Sequence, residues 1–258
     1  MSGINAKRPF GGKRGRLTAA LRICAIGGLC LVPPASGADS DPSARPDPSA
    51  RLNPSARPEQ IKSGTGFYIA PDNVLLTSAH IVGNCKNIAV FPVDGTERRG
   101  LLIALDKDLD LALVSVNGPF PGQTLQDAGV TPRNGEQIYA LGYGISATDP
   151  YRPIYLTGTF KDENTLPNGV KVLVVHARIP SGTSGAPLVD LQAGLIGVII
   201  GRYTQEPELG VAIPLQSIRI FMKKNGFVMP TPTPRNQTPA ARNNTLLRAS
   251  ALVQCNTK

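Results

Sequence analysis

Residues 182–187 read Gly-Thr-Ser-Gly-Ala-Pro, residues 77–81 read Thr-Ser-Ala-His-Ile, and Asp110 opens the run Asp-Leu-Ala-Leu-Val. Together they supply a nucleophile, a base and an acid, in the chain order histidine, aspartate, serine. The same three groups occur on unrelated scaffolds in different orders. This order points to two packed β-barrels and away from the α/β scaffolds.

The segments around these motifs agree with that reading. Short apolar, often β-branched runs broken by glycine or proline predict strands over 65–70, 74–78, 87–92, 98–106 and 110–116. A second set follows over 136–142, 152–160, 170–176, 186–190, 195–201 and 209–213. Many short strands with turn signals and no βαβ rhythm predict an all-β fold, a barrel or a sandwich. The loosened stretch 120–135, with Gly118, Pro119, Pro121, Gly122 and Gly129, is the seam between barrels at about 61–120 and 130–214. One helix is predicted, 215–225, between Pro214 and Gly226, with Leu215, Ile218 and Met222 on one face and Lys223 and Lys224 at its C-terminal end. It packs on the barrel and takes no part in chemistry.

A serine hydroxyl is a weak nucleophile until a base removes its proton. The glycines around Ser184 allow a tight turn and leave the amides of Gly182 and Ser184 free to face one point, where they would stabilise an oxyanion. On this fragment alone a plain Gly/Ser turn between strands fits as well. The base is one of two histidines. His176 lies eight residues before Ser184 and is better placed to line a pocket, which leaves His80. Asp106 and Asp108 share the strand parity of Asp110, but only Asp110 opens a run, Leu111 to Val114, that is buried at once. Asp106 and Asp108 are expected to face solvent in a hairpin.

Not all 258 residues read as one body. Residues 1–38 carry Lys7, Arg8, Lys13, Arg14, Arg16 and Arg22 and no acid, then an apolar run from Ile23 to Val32, then small residues. This is the pattern of a secretory signal with cleavage after Ala38. The run is too short to span a bilayer, so no membrane span is expected after removal. Residues 39–60 contain Pro-Ser-Ala-Arg three times at a spacing of six, a linker poor in burial and in amide donors. Residues 228–258 are basic and rich in proline and threonine, and read as a tail in which Leu246 to Val253 forms a short docking segment.

Charge and cysteine count narrow the partners. The chain is +9; loss of the six leader charges leaves +3, and the four of Arg235, Arg242, Arg248 and Lys258 leave residues 39–225 at −1. A body this close to neutral argues against a nucleic-acid partner. Cys24 and Cys30 leave with the leader, and in an oxidising compartment Cys85 and Cys255 are expected to pair. Two histidines and no cysteine–histidine cluster leave little material for a zinc site. No feature sets an oligomeric state.

Gly64-Thr-Gly-Phe-Tyr-Ile, Leu76-Thr-Ser-Ala-His80, Asp110-Leu-Ala-Leu and Gly182-Thr-Ser184-Gly-Ala-Pro-Leu resemble the trypsin/chymotrypsin superfamily of serine proteases. The body is most similar to compact bacterial HtrA-type protease domains, without their peptide-binding PDZ module. The resemblance covers about 61–225, with 30 residues from His80 to Asp110 and 74 from there to Ser184. It implies an all-β fold of two six-stranded antiparallel barrels with the cleft between them, His80 as general base, Asp110 as its orienting acid, Ser184 as nucleophile and Gly182 as the oxyanion glycine. It implies a secreted or periplasmic bacterial endopeptidase acting on polypeptides without a cofactor or metal. The alternative is an inactive binding domain on the same barrels at the cell envelope.

Two departures bear on that choice. Ala186 stands where the family has a second glycine, so the backbone must accommodate a methyl group. Thr183 stands where zymogen-activated members carry an aspartate, which argues against that activation route. For substrate binding, the resemblance assigns His176, Arg178, the edge Ile200-Gly201-Arg202 and Gly210 to the pocket. Arg178 falls near the pocket floor, where trypsin-like enzymes have aspartate. The expected preference is therefore for small apolar or acidic side chains before the cleaved bond.

Overall fold

The computed structural model describes residues 61–70, 72–119, 123–144, 149, 151–230 and 236–257. The signal and repeat linker expected in residues 1–60 lie outside the described residues. The first apolar runs form β1 (Ile61–Ala70), β2 (Val74–Ser78), β3 (Asn87–Phe91), β4 (Arg98–Asp106) and β5 (Leu111–Val116). Asn73 turns the chain from β1 into β2 at a φ of 57°, a left-handed conformation that asparagine tolerates. Alternation then sorts the side chains. Tyr68, Leu75, Val90, Ala112 and Val114 fill this barrel. Phe67, Leu76, Leu111 and Leu113 face outward into a second core that also holds Tyr139, Leu141 and Val189.

Five strands do not close this barrel. The sixth is β13, Ser250–Asn256, which inserts between β1 and β3 in the order β1-β13-β3-β4-β5-β2. Both pairings are antiparallel, with Phe67 opposite Ser250 and Ile61 opposite Asn256 on one side, and Phe91 opposite Leu252 on the other. Over its last part the segment read as a tail is thus a barrel strand, with Ala251, Leu252, Val253 and Cys255 buried. A helix, α3 (Pro239–Ala249), leads straight into it. Thr238 caps this helix, its hydroxyl accepting from the amide of Ala241 at 3.2 Å, and Pro239 occupies the first turn, where its missing donor costs nothing. The same Thr-Pro pair that reads as tail composition is therefore a helix start. The guanidinium of Arg242 lies 3.4 Å over the ring of Tyr139 and anchors α3.

The second barrel is built from β7 (Gln137–Tyr143), β8 (Pro153–Thr165), β9 (Lys171–His176), β10 (Pro187–Val189), β11 (Gly194–Arg202) and β12 (Leu209–Pro214). They run β10-β7-β8-β9-β12-β11, and pairing of β10 with β11 completes the circuit. A two-residue strand, β6 (Gln126–Asp127), adds in parallel to β11. The predicted helix forms as α2 (Leu215–Lys224), burying Leu215, Ile218, Phe221 and Met222. Arg219 on its outer side makes a two-pronged ion pair with Asp127, joining α2 to β6.

Candidate active site

His80 rides on α1 (Ala79–Val82), a single turn that follows β2. Asp110 holds this turn at three points. Its carbonyl accepts from the amide of Ala79 at 3.1 Å, its Oδ1 from the amide of His80 at 2.8 Å, and its Oδ2 meets His80 Nδ1 at 2.7 Å. With Nδ1 bonded to the carboxylate, the imidazole presents Nε2 outward as the basic nitrogen. Half of the His80 side chain, 52%, is exposed, against 21% for Asp110. The imidazole is therefore open to solvent while the carboxylate is shielded.

Asp110 is not a strand residue. It sits one position before β5 at a φ of 54°, in the turn that follows β4. Asp106 is not left to solvent as expected from the sequence: half-buried, its Oδ1 accepts from the amides of Asp108 and Leu109 at 3.1 and 3.0 Å and shapes the turn. Asp108 is exposed. Turn geometry, not strand parity, therefore separates the three carboxylates.

The Ser184 turn comes from the other barrel, between β9 and β10. Gly182 and Gly185 adopt φ of 89° and 83°, values that glycine takes without penalty. Within the turn the amide of Gly185 donates to the carbonyl of Ile199 at 2.7 Å and that of Ala186 to Thr183 at 3.0 Å, while Thr183 makes a longer contact to Pro180. Among the described residues no protein acceptor takes the amides of Gly182 and Ser184. Those two donors are the ones an oxyanion would need. The Ser184 hydroxyl donates to the carbonyl of Ile200 at 3.4 Å. Ile200 is the extra residue of an irregularity in the β11–β12 register, so its carbonyl is released from the ladder.

Close packing joins this turn to the histidine side. A Cβ on Gly185 would lie 2.0 Å from the carbonyl oxygen of Thr65 and 3.0 Å from the amide of Ser78, two residues before His80. The amide of Thr65 donates to the carbonyl of Ser184 at 2.8 Å. The methyl of Ala186 is fully buried with Ile138, Ala140 and Leu188 in the core of the second barrel. The departure at this position is thus a packing choice and no sign of a lost site. Thr183 is equally buried, its hydroxyl on the carbonyl of Pro180 at 2.7 Å.

The residues assigned to substrate binding do not all converge. His176 and Arg178 are exposed, His176 at the end of β9 opposite Thr159 and Leu209. The side chain that packs against Gly210 belongs to Ile179: a Cβ on Gly210 would lie 2.7 Å from Ile179 Cγ1. Arg202 on β11 reaches over with Nη1 to the carbonyl of Ile179 at 3.1 Å. Arg202, itself exposed, thus reaches the segment that carries Ile179, and in this segment the side chain facing Gly210 is that of Ile179 and not Arg178. Cys85 and Cys255 are joined by a disulfide, which ties β13 to the segment just after α1. Among the described residues no group of histidine, cysteine and carboxylate side chains is arranged to hold a metal, and no helix is long and apolar enough to cross a membrane.

Residues 64–198 match the trypsin-like peptidase domain. The serine protease Rv3671c of Mycobacterium tuberculosis is 28% identical over 183 residues, covering 69% of this chain and 45% of that protein. A probable periplasmic serine endoprotease, DegP-like, of Rickettsia prowazekii is 30% identical over 182 residues, covering 66% of this chain and 35% of that protein. The active form of the Rv3671c protease from M. tuberculosis has a similar fold, with a TM-score of 0.58 at 24% identity over 79% of this chain and 97% of that one. The chain spans less than half the length of these two curated relatives.

Proposed function

This chain belongs to the trypsin-like peptidase family, and on that footing we propose that it is a serine endopeptidase in which Ser184, His80 and Asp110 form the catalytic triad. The observation that carries the reading is the pairing of His80 Nδ1 with Asp110 Oδ2 at 2.7 Å on one barrel, with the Ser184 turn of the other barrel packed against the residues leading into His80. Asp110 fixes the tautomer, so Nε2 is the acceptor for the serine proton. The Ser184 Oγ then adds to the peptide carbonyl. The oxygen of the tetrahedral intermediate becomes an anion, and the amides of Gly182 and Ser184 receive it. His80 returns the proton to the leaving amine, and a water activated by the same nitrogen releases the acyl group.

The pocket wall supports a substrate class. Ile179 fills the space beside Gly210, and the Arg202 guanidinium lies across its carbonyl. A long side chain finds little depth there, and a cationic one meets a like charge. The residue before the cleaved bond is therefore small and apolar, or acidic. A peptide-library digest yielding cleavage chiefly after lysine or arginine would refute this. The polypeptide is met outside the cytoplasm, a location supported by the basic-apolar leader pattern of residues 1–38, by the Cys85–Cys255 disulfide and by the periplasmic DegP-like relative.

The triad is tested by labelling the full chain with a biotinylated alkyl fluorophosphonate. Label is expected on the wild type and on Ser181→Ala, and absent from Ser184→Ala. An unlabelled wild type, or label retained in Ser184→Ala, overturns the assignment.

A further inference from the structure

The motif Gly64-Thr65-Gly66 in β1 has no part in the triad, yet its central residue touches the Ser184 turn more than any strand neighbour requires. Thr65 is fully buried. Its amide donates to the carbonyl of Ser184 at 2.8 Å. Its hydroxyl donates to the carbonyl of Gly182 at 3.1 Å and accepts from the amide of Tyr143, the last residue of β7, at 2.8 Å. Its own carbonyl accepts from the Thr77 hydroxyl at 2.6 Å. All four polar valences of one residue are thus spent on fixing three segments: the Ser184 turn, the end of β7 and β2.

The two carbonyls that Thr65 holds belong to Gly182 and Ser184, the two residues whose amides are unclaimed. A carbonyl and the following amide share one rigid plane. Holding the Gly182 carbonyl turns the Thr183 amide away, and holding the Ser184 carbonyl aims the Gly185 amide at Ile199. The plane that carries the Ser184 amide lies between these two, and the Gly182 amide precedes the first through a single left-handed glycine. With both flanking planes pinned the Ser184 amide is confined, and the Gly182 amide adjoins a pinned plane through one residue. The neighbouring glycines make the approach possible: a Cβ on Gly64 would meet Ile81 Cδ1 at 2.0 Å, and one on Gly66 would meet Leu75 Cδ2 at 2.2 Å. Either would force the side chain it meets, or β1 itself, to shift.

We propose that Thr65 is a positioning residue of the first barrel that sets the Gly182 and Ser184 amides of the second barrel for oxyanion stabilisation. The proposal rests on the endopeptidase reading above. It assigns the hydroxyl a role in the transition state and not in substrate binding, because Thr65 is sealed from solvent and its polar atoms are all engaged by other residues of the protein.

The test is the kinetics of fluorophosphonate labelling on the full chain, since the phosphoryl oxygen becomes anionic at the same two amides. Thr65→Val keeps shape and removes the hydroxyl. The maximal labelling rate is expected to fall on the order of ten- to a hundred-fold, in the range of an ångström-scale misplacement, while the half-saturating concentration stays within about twofold. Thr65→Ser restores the oxygen and is expected to recover the rate to within about threefold of wild type. If Thr65→Val does not fold, Thr65→Ala, which also lacks the hydroxyl, carries the same comparison. A hydroxyl-free variant that folds and labels at the wild-type rate, or a Thr65→Ser as slow as it, overturns the proposal while Ser184→Ala remains unlabelled. Label retained in Ser184→Ala, or none on the wild type, instead removes the endopeptidase reading beneath it.

Discussion

Replacing both Cys85 and Cys255 by alanine isolates what the covalent link to β13 contributes. The bond closes a loop across a sequence separation of 170 residues with the Cα atoms 5.4 Å apart. The chain-entropy relation puts the constraint on the unfolded chain at about 5 kcal/mol for a loop of this length, and native disulfides contribute about 2–5 kcal/mol in practice. The folded state keeps the rest of β13: its ladders to β1 and β3 do not involve sulfur, and Ala251, Leu252 and Val253 remain in the barrel cores. The double variant is therefore expected to fold, with a lower stability. At roughly 3 °C per kcal/mol for a domain of this size, the melting temperature falls by about 6–15 °C. The assay is thermal unfolding of oxidised wild type, reduced wild type and the double variant, with a non-reducing peptide map to show the Cys85–Cys255 link. Reduced and double-variant proteins should agree. A double variant melting within about 2 °C of the oxidised wild type would refute the argument that this loop closure limits the unfolded chain.

Three further outcomes are expected. Gly185→Ala places a methyl 2.0 Å from the Thr65 carbonyl on a residue at φ 83°, so the turn must move, and fluorophosphonate labelling should drop by at least about 10²-fold. Asp110→Asn keeps the contact to His80 but favours the wrong tautomer, and turnover of a cleavable peptide should fall by about 10⁴-fold with the melting temperature little changed. Burial pushes the Asp127 carboxyl up, but the Arg219 guanidinium and the Gly129 amide outweigh it and hold it below the ordinary carboxylate range. A depressed folded value means stability present above the unfolded carboxylate pKa, about 4, and lost as pH falls through the lower folded one. Asp127→Asn should then lower the urea midpoint near neutrality and shrink its decline between pH 7 and pH 3; an unchanged pH dependence would contradict the ion pair.

What could be read locally was read from the chain. Short apolar, often β-branched runs bounded by glycine or proline mark β2, β5, β7 and β11, which are buried along nearly their whole length, because such a run shows itself within a few residues. Pro214 and the apolar spacing of Leu215, Ile218 and Met222 mark α2 for the same reason. His80, Asp110 and the glycine-flanked Ser184 stood out by residue type, since few side chains can serve as base, orienting acid or nucleophile. A loop leads out of β9, so spacing along the chain does not say whether Arg178 or Ile179 turns toward Gly210; the contact of Ile179 with Gly210 comes from the tertiary structure. Asp106 was misread because its carboxylate caps a turn, which parity along a strand does not describe.

The sequence by itself determined the fold class, the order of the motifs and the short-range rules of each element, all set by steric and hydrophobic preferences within a few residues. The tertiary structure decided the rest. Closing a barrel requires a strand for an otherwise open edge between β1 and β3, and Ser250–Asn256 is recruited from more than 150 residues beyond β3 because its apolar face fits there. Three of the four contacts of Thr65, to Gly182, Ser184 and Tyr143, likewise exist only where the two barrels meet. Hydrogen bonds between residues 117 apart, such as Thr65 to Gly182, follow from closure and packing of the whole chain, and no local pattern announces them.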